Sequence, residues 1–109
     1  MGMNTMKAVL ALLLLAAPVA ARTWERGKVE RFATLPAGEA HPEGICVGPD
    51  GNVYVVTVAA NKPESSGGTL LVFDRDGKHL RTVTVAGSSP LLLDLRFHPL
   101  TGRLLIVDY

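Results

Sequence analysis

Several features that define other protein classes are missing from this chain. It has one cysteine, Cys46, in 109 residues, so no disulfide can form within the chain. Its 11 Lys and Arg residues are balanced by 10 Asp and Glu residues, which excludes the basic surface that nucleic-acid binding requires. No segment after residue 22 has apolar residues at helical spacing over ten or more positions, so a helical domain is excluded as well. The glycine, serine and cysteine motifs of serine hydrolases, thiol oxidoreductases and nucleotide-binding folds do not occur.

The first 21 residues have the pattern of a secretory signal peptide. Lys7 precedes an unbroken apolar run at residues 8–17, and the segment ends with small residues at Ala20-Ala21. The run is too short to cross a bilayer, which takes about 20 apolar residues. We therefore expect cleavage after Ala21 and export of residues 22–109 to the periplasm or the extracellular space. No membrane attachment is expected after cleavage.

The rest of the chain has the pattern of short strands separated by turns, which predicts an all-β fold. Runs of β-branched and aromatic residues alternate with Gly, Pro, Asp and Asn. The run at residues 53–58 is nearly all apolar and is expected to be covered on both faces. His98, which precedes Pro99, is expected to be a turn residue. The expected strands are residues 29–35, 45–48, 53–58, 70–74, 80–85, 91–97 and 103–107.

The sequence contains an internal repeat. Ile45, Val47 and Pro49 align with Leu95, Phe97 and Pro99 at an offset of 50, and Gly51, Val53 and Val55 align with Gly102, Leu104 and Ile106 at an offset of 51. One period holds two hairpins, or four strands, which is typical of a β-propeller blade. We therefore expect a partial β-propeller over residues 22–109. It would comprise one complete four-stranded blade at 43–85 and the first half of a second at 91–109, with 29–35 as an outer strand of the ring.

The expected blades are fewer than a closed ring needs. A propeller takes about four or more blades of roughly 40 residues each. Residues 22–109 are thus expected to be the N-terminal part of a longer domain. Uncovered strands in the isolated chain are expected to make it self-associate.

Residues 41–55, His-Pro-Glu-Gly-Ile-Cys-Val-Gly-Pro-Asp-Gly-Asn-Val-Tyr-Val, resemble the opening blade of the gluconolactonase-like propellers. This six-bladed family includes regucalcin (senescence marker protein), and NHL-repeat and strictosidine-synthase-like propellers are its near relatives. Residues 70–78 are similar to the outer hairpin of such blades, and residues 95–106 resemble the next inner hairpin. In the family, the carboxylate of a Glu-Gly pair binds a divalent metal together with an Asn and an Asp from later blades. That metal polarises a lactone carbonyl and activates a water for attack.

The resemblance implies that Glu43, followed by Gly44, is a metal ligand, with Ca²⁺ or Zn²⁺ as the ion. Where the family often has Pro after this Gly, the present chain has Ile45. A Ca²⁺ ion takes about six to eight oxygen ligands, so Glu43 alone is not expected to bind a metal tightly. His41 and Asp94, near the same end of the predicted strands, are the candidate substrate-cleft residues, and no catalytic residue is assigned.

Three functions remain open at this point. The first is an exported hydrolase that cleaves a small lactone or ester in a full-length form, while the present chain is inactive. The second is a non-catalytic NHL-type propeller that binds a ligand or a protein partner at one mouth. The third is a truncated product with no function of its own.

Overall fold

The computed structural model describes residues 25–109, which form two antiparallel β-sheets. Sheet 1 has four strands in chain order: β1 (Pro42–Val47), β2 (Val53–Thr57), β3 (Gly68–Phe73) and β4 (His79–Val85). Sheet 2 has two, β5 (Leu92–Phe97) and β6 (Leu104–Asp108). A 3₁₀ turn at Glu64–Ser66 is the one helical element in this part of the chain, so the all-β prediction is confirmed.

The N-terminal prediction lies outside the described residues. The expected signal peptide comprises residues 1–21, whereas the part of the chain that the structure describes begins at residue 25. Within residues 25–109, no helix has the length and apolar character needed to cross a membrane.

The strand predicted at residues 29–35 is wrong, whereas the other six predicted strands are present within three residues of their expected ends. Residues 25–41 contain no strand. Ala33 and Leu35 pack flat against one face of sheet 1, while Val29 is 95% exposed. A strand requires a ladder partner along its edge, and this segment instead uses its few apolar side chains to cover a sheet face.

Two apolar clusters hold the fold together. Core 1 lies between the sheets and consists of Tyr54, Val56, Leu70, Val72, Leu92 and Leu95, flanked by the partly buried Cys46, Val85, Phe97, Leu104 and Ile106. Core 2 lies on the opposite face of sheet 1 and consists of Val53, Val55, Leu71 and Phe73, covered by Ala33 and Leu35. Strands β2 and β3 are therefore buried on both faces, as predicted for the apolar run at residues 53–58.

The two sheets repeat one another in register. Hairpin β1–β2 pairs Ile45 with Val55 and Val47 with Val53, and hairpin β5–β6 pairs the aligned residues Leu95 with Ile106 and Phe97 with Leu104. Both hairpins are irregular at the same point, between Pro42 and Ile45 in β1 and between Leu92 and Asp94 in β5. Sheet 2 is therefore a structural copy of the first half of sheet 1.

The turns of the two hairpins are also equivalent. Gly48 N–H donates to Asn52 O (2.8 Å), and His98 N–H donates to Arg103 O (2.8 Å). Each turn has a glycine with positive φ, Gly51 at 80° and Gly102 at 67°, a conformation in which a side chain is strained. The one-residue insertion found in the alignment thus lies inside the second turn.

Hydrogen bonds to an aspartate, one of them from a tyrosine, stabilise the first turn. Tyr54 Oη donates to Asp50 Oδ2 (2.6 Å), and Asn52 N–H donates to Asp50 Oδ1 (3.0 Å). The bond from Tyr54, followed by that from Asn52, holds the pKa of Asp50 below its usual value. The same bond raises the pKa of Tyr54.

Asp50→Asn is expected to reduce the loss of stability in acid. Because the pKa of Asp50 is lower in the folded chain, its contribution is fully present above its unfolded pKa of about 4 and disappears as the pH falls through the folded value. Urea unfolding of both proteins at pH 6, 4 and 3 measures the effect. Equal pH slopes for wild type and variant would show that the turn carboxylate does not stabilise the fold.

Candidate functional site

The first strands of the two sheets lie side by side where they begin. A Cβ on Gly44 would lie 2.6 Å from the α-carbon of Asp94 and 3.0 Å from Cδ2 of Leu95. Arg96 Nη1 also donates to the carbonyl oxygen of Ile45 (3.2 Å), which links β5 to β1. Glycine is therefore needed at position 44 for close approach, and the start of β1 meets the start of β5.

Glu43 lies at this junction with its side chain exposed. It is on the rim of a groove of about 350 Å³ whose other lining residues are apolar, among them Phe32, Leu35, Ile45 and Phe73. We call this the apolar groove. Glu43 forms no ion pair with the residues described here. The groove thus has one charged group at its edge, a carboxylate that is free to bind a cation.

Asp94 is the second acidic residue at the junction, and its carboxylate is already engaged. Asp94 Oδ1 accepts the backbone N–H of Leu95 (2.8 Å) and forms an ion pair with Arg96 Nη1 (3.2 Å). Both side chains are largely exposed, so this pair adds little stability. Its effect is to orient the carboxylate along its own strand.

His41 belongs to a different cavity. It immediately precedes β1 and has a φ of 54°, an uncommon conformation for a residue other than glycine. Its carbonyl accepts the N–H of Val58 (3.0 Å), and the residue lines a cavity of about 300 Å³ with Ala60 and Asn61. The structure therefore brings the strand of Glu43 beside Asp94 and places His41 at a separate cavity.

His98 is a turn residue, as predicted. Its Nδ1 accepts the backbone N–H groups of Leu100 (3.3 Å) and Thr101 (3.2 Å). This ring nitrogen satisfies two donors of the turn, much as the Asp50 carboxylate does in the first hairpin. The role of His98 is structural.

Cys46 packs at the edge of core 1 and is partly buried. Desolvation is the main cause that raises the pKa of its thiol, opposed by the nearby Arg96. Since the thiolate is the reactive form, the thiol is a weak nucleophile at neutral pH. Cys46 therefore acts as a small apolar side chain.

A half-buried ion pair was not anticipated from the sequence. Lys62 Nζ lies 2.9 Å from Glu39 Oε1 and 3.3 Å from the hydroxyl of the buried Thr69, and Thr57 Oγ1 lies 3.5 Å from Glu39 Oε2. The pair joins the segment before β1 to the loop before β3. Glu39 and Lys62 are 23 positions apart, and no local pattern links them.

The residues described here do not fit a metal ion by themselves. Among residues 25–109, no three His, Cys, Asp or Glu side chains converge on one point. Glu43 offers one carboxylate, and the acidic residue on the adjacent strand, Asp94, is bound to Arg96. A Ca²⁺ ion would need about six to eight oxygen ligands, so this part of the chain supplies at most a fraction of a site.

Comparisons with protein-family models, with curated proteins and with solved structures found no match to this chain.

Proposed function

We propose that sheets 1 and 2 are consecutive blades of a β-propeller. The supporting observations are the shared hairpin register, the shared irregularity at Pro42/Ile45 and Leu92/Asp94, and the apolar packing of one sheet on the other. Blades of a propeller are repeats of this kind, packed face to face with their first strands around a central channel. In this arrangement β1 and β5 are the inner strands, and Glu43 lies at the mouth of the channel.

The function we propose is that of a gluconolactonase-like hydrolase acting on a small lactone or ester. The observation that carries it is the position of Glu43, an exposed carboxylate at the start of an inner strand, without an ion-pair partner among the described residues. In a complete propeller it would contribute one ligand to a divalent metal. Since residues 25–109 supply no complete ligand set, we expect the chain alone not to hydrolyse lactones.

A second candidate is a non-catalytic NHL-type propeller that binds a ligand or a protein partner. The observation in its favour is that the carboxylate of Asp94, a candidate substrate-cleft residue, is already bound by Arg96 and by the N–H of Leu95. The two functions differ in whether Glu43 attracts metal ions.

Both candidates share the proposal that the protein is exported. It depends on the charge and apolar pattern of residues 1–21.

A paramagnetic titration tests whether the Glu43 carboxylate attracts a metal ion, as the hydrolase proposal requires. Millimolar Mn²⁺ added to the isotope-labelled chain is expected to broaden the amide signals of Glu43 and Gly44 first, because Mn²⁺ prefers carboxylate oxygen ligands. Glu43→Gln should remove this broadening. Glu64→Gln, which changes an exposed glutamate on the 3₁₀ turn, should leave it intact.

Two results would refute the metal role. One is the absence of selective broadening near Glu43, and the other is broadening that persists in Glu43→Gln. Either would show that the Glu43 carboxylate is not a metal ligand in this chain. A lactone hydrolysis assay of the same samples with added Ca²⁺, Zn²⁺ or Mg²⁺ is expected to show no activity.

A further inference from the structure

The chain exposes two surfaces that are equivalent, by the internal repeat, to the two halves of the buried interface between its sheets. Leu95 and Phe97 of β5 pack on sheet 1 in core 1, and their aligned residues in β1, Ile45 and Val47, are 58% and 67% exposed. Sheet 1 therefore exposes, along the edge of the apolar groove, the type of surface that sheet 2 uses for docking.

The other half lies on sheet 2. In core 1, Tyr54 and Val56 of β2 pack against the residues of sheet 2. Their counterparts at an offset of 51 are Leu105 and Val107 of β6, which are 54% and 52% exposed. Arg96 is paired with Leu105 across the hairpin and so shares its face. We call Arg96, Leu105 and Val107 the outer face of sheet 2.

We propose that a second copy of this chain docks head to tail, with the groove side of β1 in one copy on the outer face of sheet 2 in the next. Each contact repeats the packing of sheet 2 on sheet 1, so one chain supplies both complementary surfaces. The interface is heterologous, and its repetition closes a ring or continues as a filament. It depends on the observed sheet packing and not on the hydrolase proposal.

The charges at the two surfaces are complementary. Glu43, on the rim of the groove, has no cationic partner among the described residues. The Arg96 side chain is 66% exposed, and its guanidinium also contacts Asp94 and the carbonyl oxygen of Ile45. Opposite charges at the edge of an apolar contact set its orientation more than its strength. Added salt is therefore expected to weaken the association only modestly.

Two differences from the internal interface limit its strength. Asp94 has a Cβ at the position aligned with Gly44, so the first strands of two copies lie further apart than β1 and β5 do. Ala33 and Leu35 already cover part of core 2 on the groove side of sheet 1. The association is therefore expected to be reversible and concentration-dependent.

The test uses two variants that each remove one surface from residues 22–109. Ile45→Glu places a charge on the groove side, and Leu105→Glu places one on the outer face. Both residues are more than half exposed, so the fold should persist, which circular dichroism melting checks. Val29→Glu, at a 95% exposed residue that is not among those lining the groove or forming the outer face, is the matched control.

Sedimentation velocity over a range of micromolar concentrations gives the outcome. Wild type and Val29→Glu should self-associate, and each of the other variants should raise the dissociation constant at least tenfold. Mixed at equal concentrations, Ile45→Glu and Leu105→Glu should form a 1:1 complex, since each retains the surface that the other lacks. A monomeric wild type, association insensitive to both variants, or a mixture that stays monomeric would each overturn head-to-tail docking.

Discussion

Leu92→Ala is expected to lower the free energy of unfolding by about 2–5 kcal/mol, the largest effect of any single substitution proposed here. Leu92 is fully buried and packs in core 1 between the two sheets. Its side chain also lies directly against the backbone of Gly68, so the cavity left by the variant has rigid walls and cannot easily collapse. Urea unfolding monitored by circular dichroism measures the loss.

The neighbouring Leu93 provides the matched control. It is the same residue type on the same strand, but it is 36% exposed and belongs to neither core. Leu93→Ala is therefore expected to cost about 1 kcal/mol or less. Equal losses for the two variants would mean that β5 does not present Leu92 to sheet 1.

Gly44→Ala is expected to destabilise the fold by about 1–3 kcal/mol, because the added methyl group overpacks the junction of β1 and β5. The new Cβ would lie 2.6 Å from the α-carbon of Asp94, a backbone atom that can move only if the strand moves. The φ of Gly44 is not in the left-handed region, so the expected cost is steric rather than conformational.

Gly27→Ala is the control for this substitution. No atom lies within 4 Å of the position that its Cβ would occupy. Its melting temperature should match that of wild type, whereas that of Gly44→Ala should fall by several degrees, as expected for a domain of this size. A Gly44→Ala variant as stable as Gly27→Ala would show that the two strands are not in close contact.

The repeat carried most of the fold information in the sequence. It predicted that the two hairpins are equivalent, and in the structure the aligned residues Ile45 and Leu95 occupy the same place in each hairpin. It also placed the one-residue insertion in a turn, where the backbone accommodates it at little cost. Local pattern was enough for these features because each is set within one hairpin.

Features that depend on long-range contacts could not be predicted in this way. Residues 29–35 have strand-like composition, yet they form no strand, and Ala33 and Leu35 pack on a face of sheet 1 instead. The Glu39–Lys62 ion pair depends on where two loops cross the sheet, which no local spacing reports. Glu43 and Asp94 were both identified as candidates, but the engagement of Asp94 by Arg96 follows from side-chain geometry that the sequence does not specify.

In this fold, two equivalent sheets stack face to face with the starts of β1 and β5 in contact. The most direct measurement is a nuclear Overhauser effect between the α-hydrogens of Gly44 and Asp94 in the isotope-labelled chain at low concentration. The structure predicts a strong effect there, together with one between the methyl groups of Val56 and Leu95. If cross-strand effects within sheet 1 were observed and these two were absent, the stacking of the sheets would be contradicted.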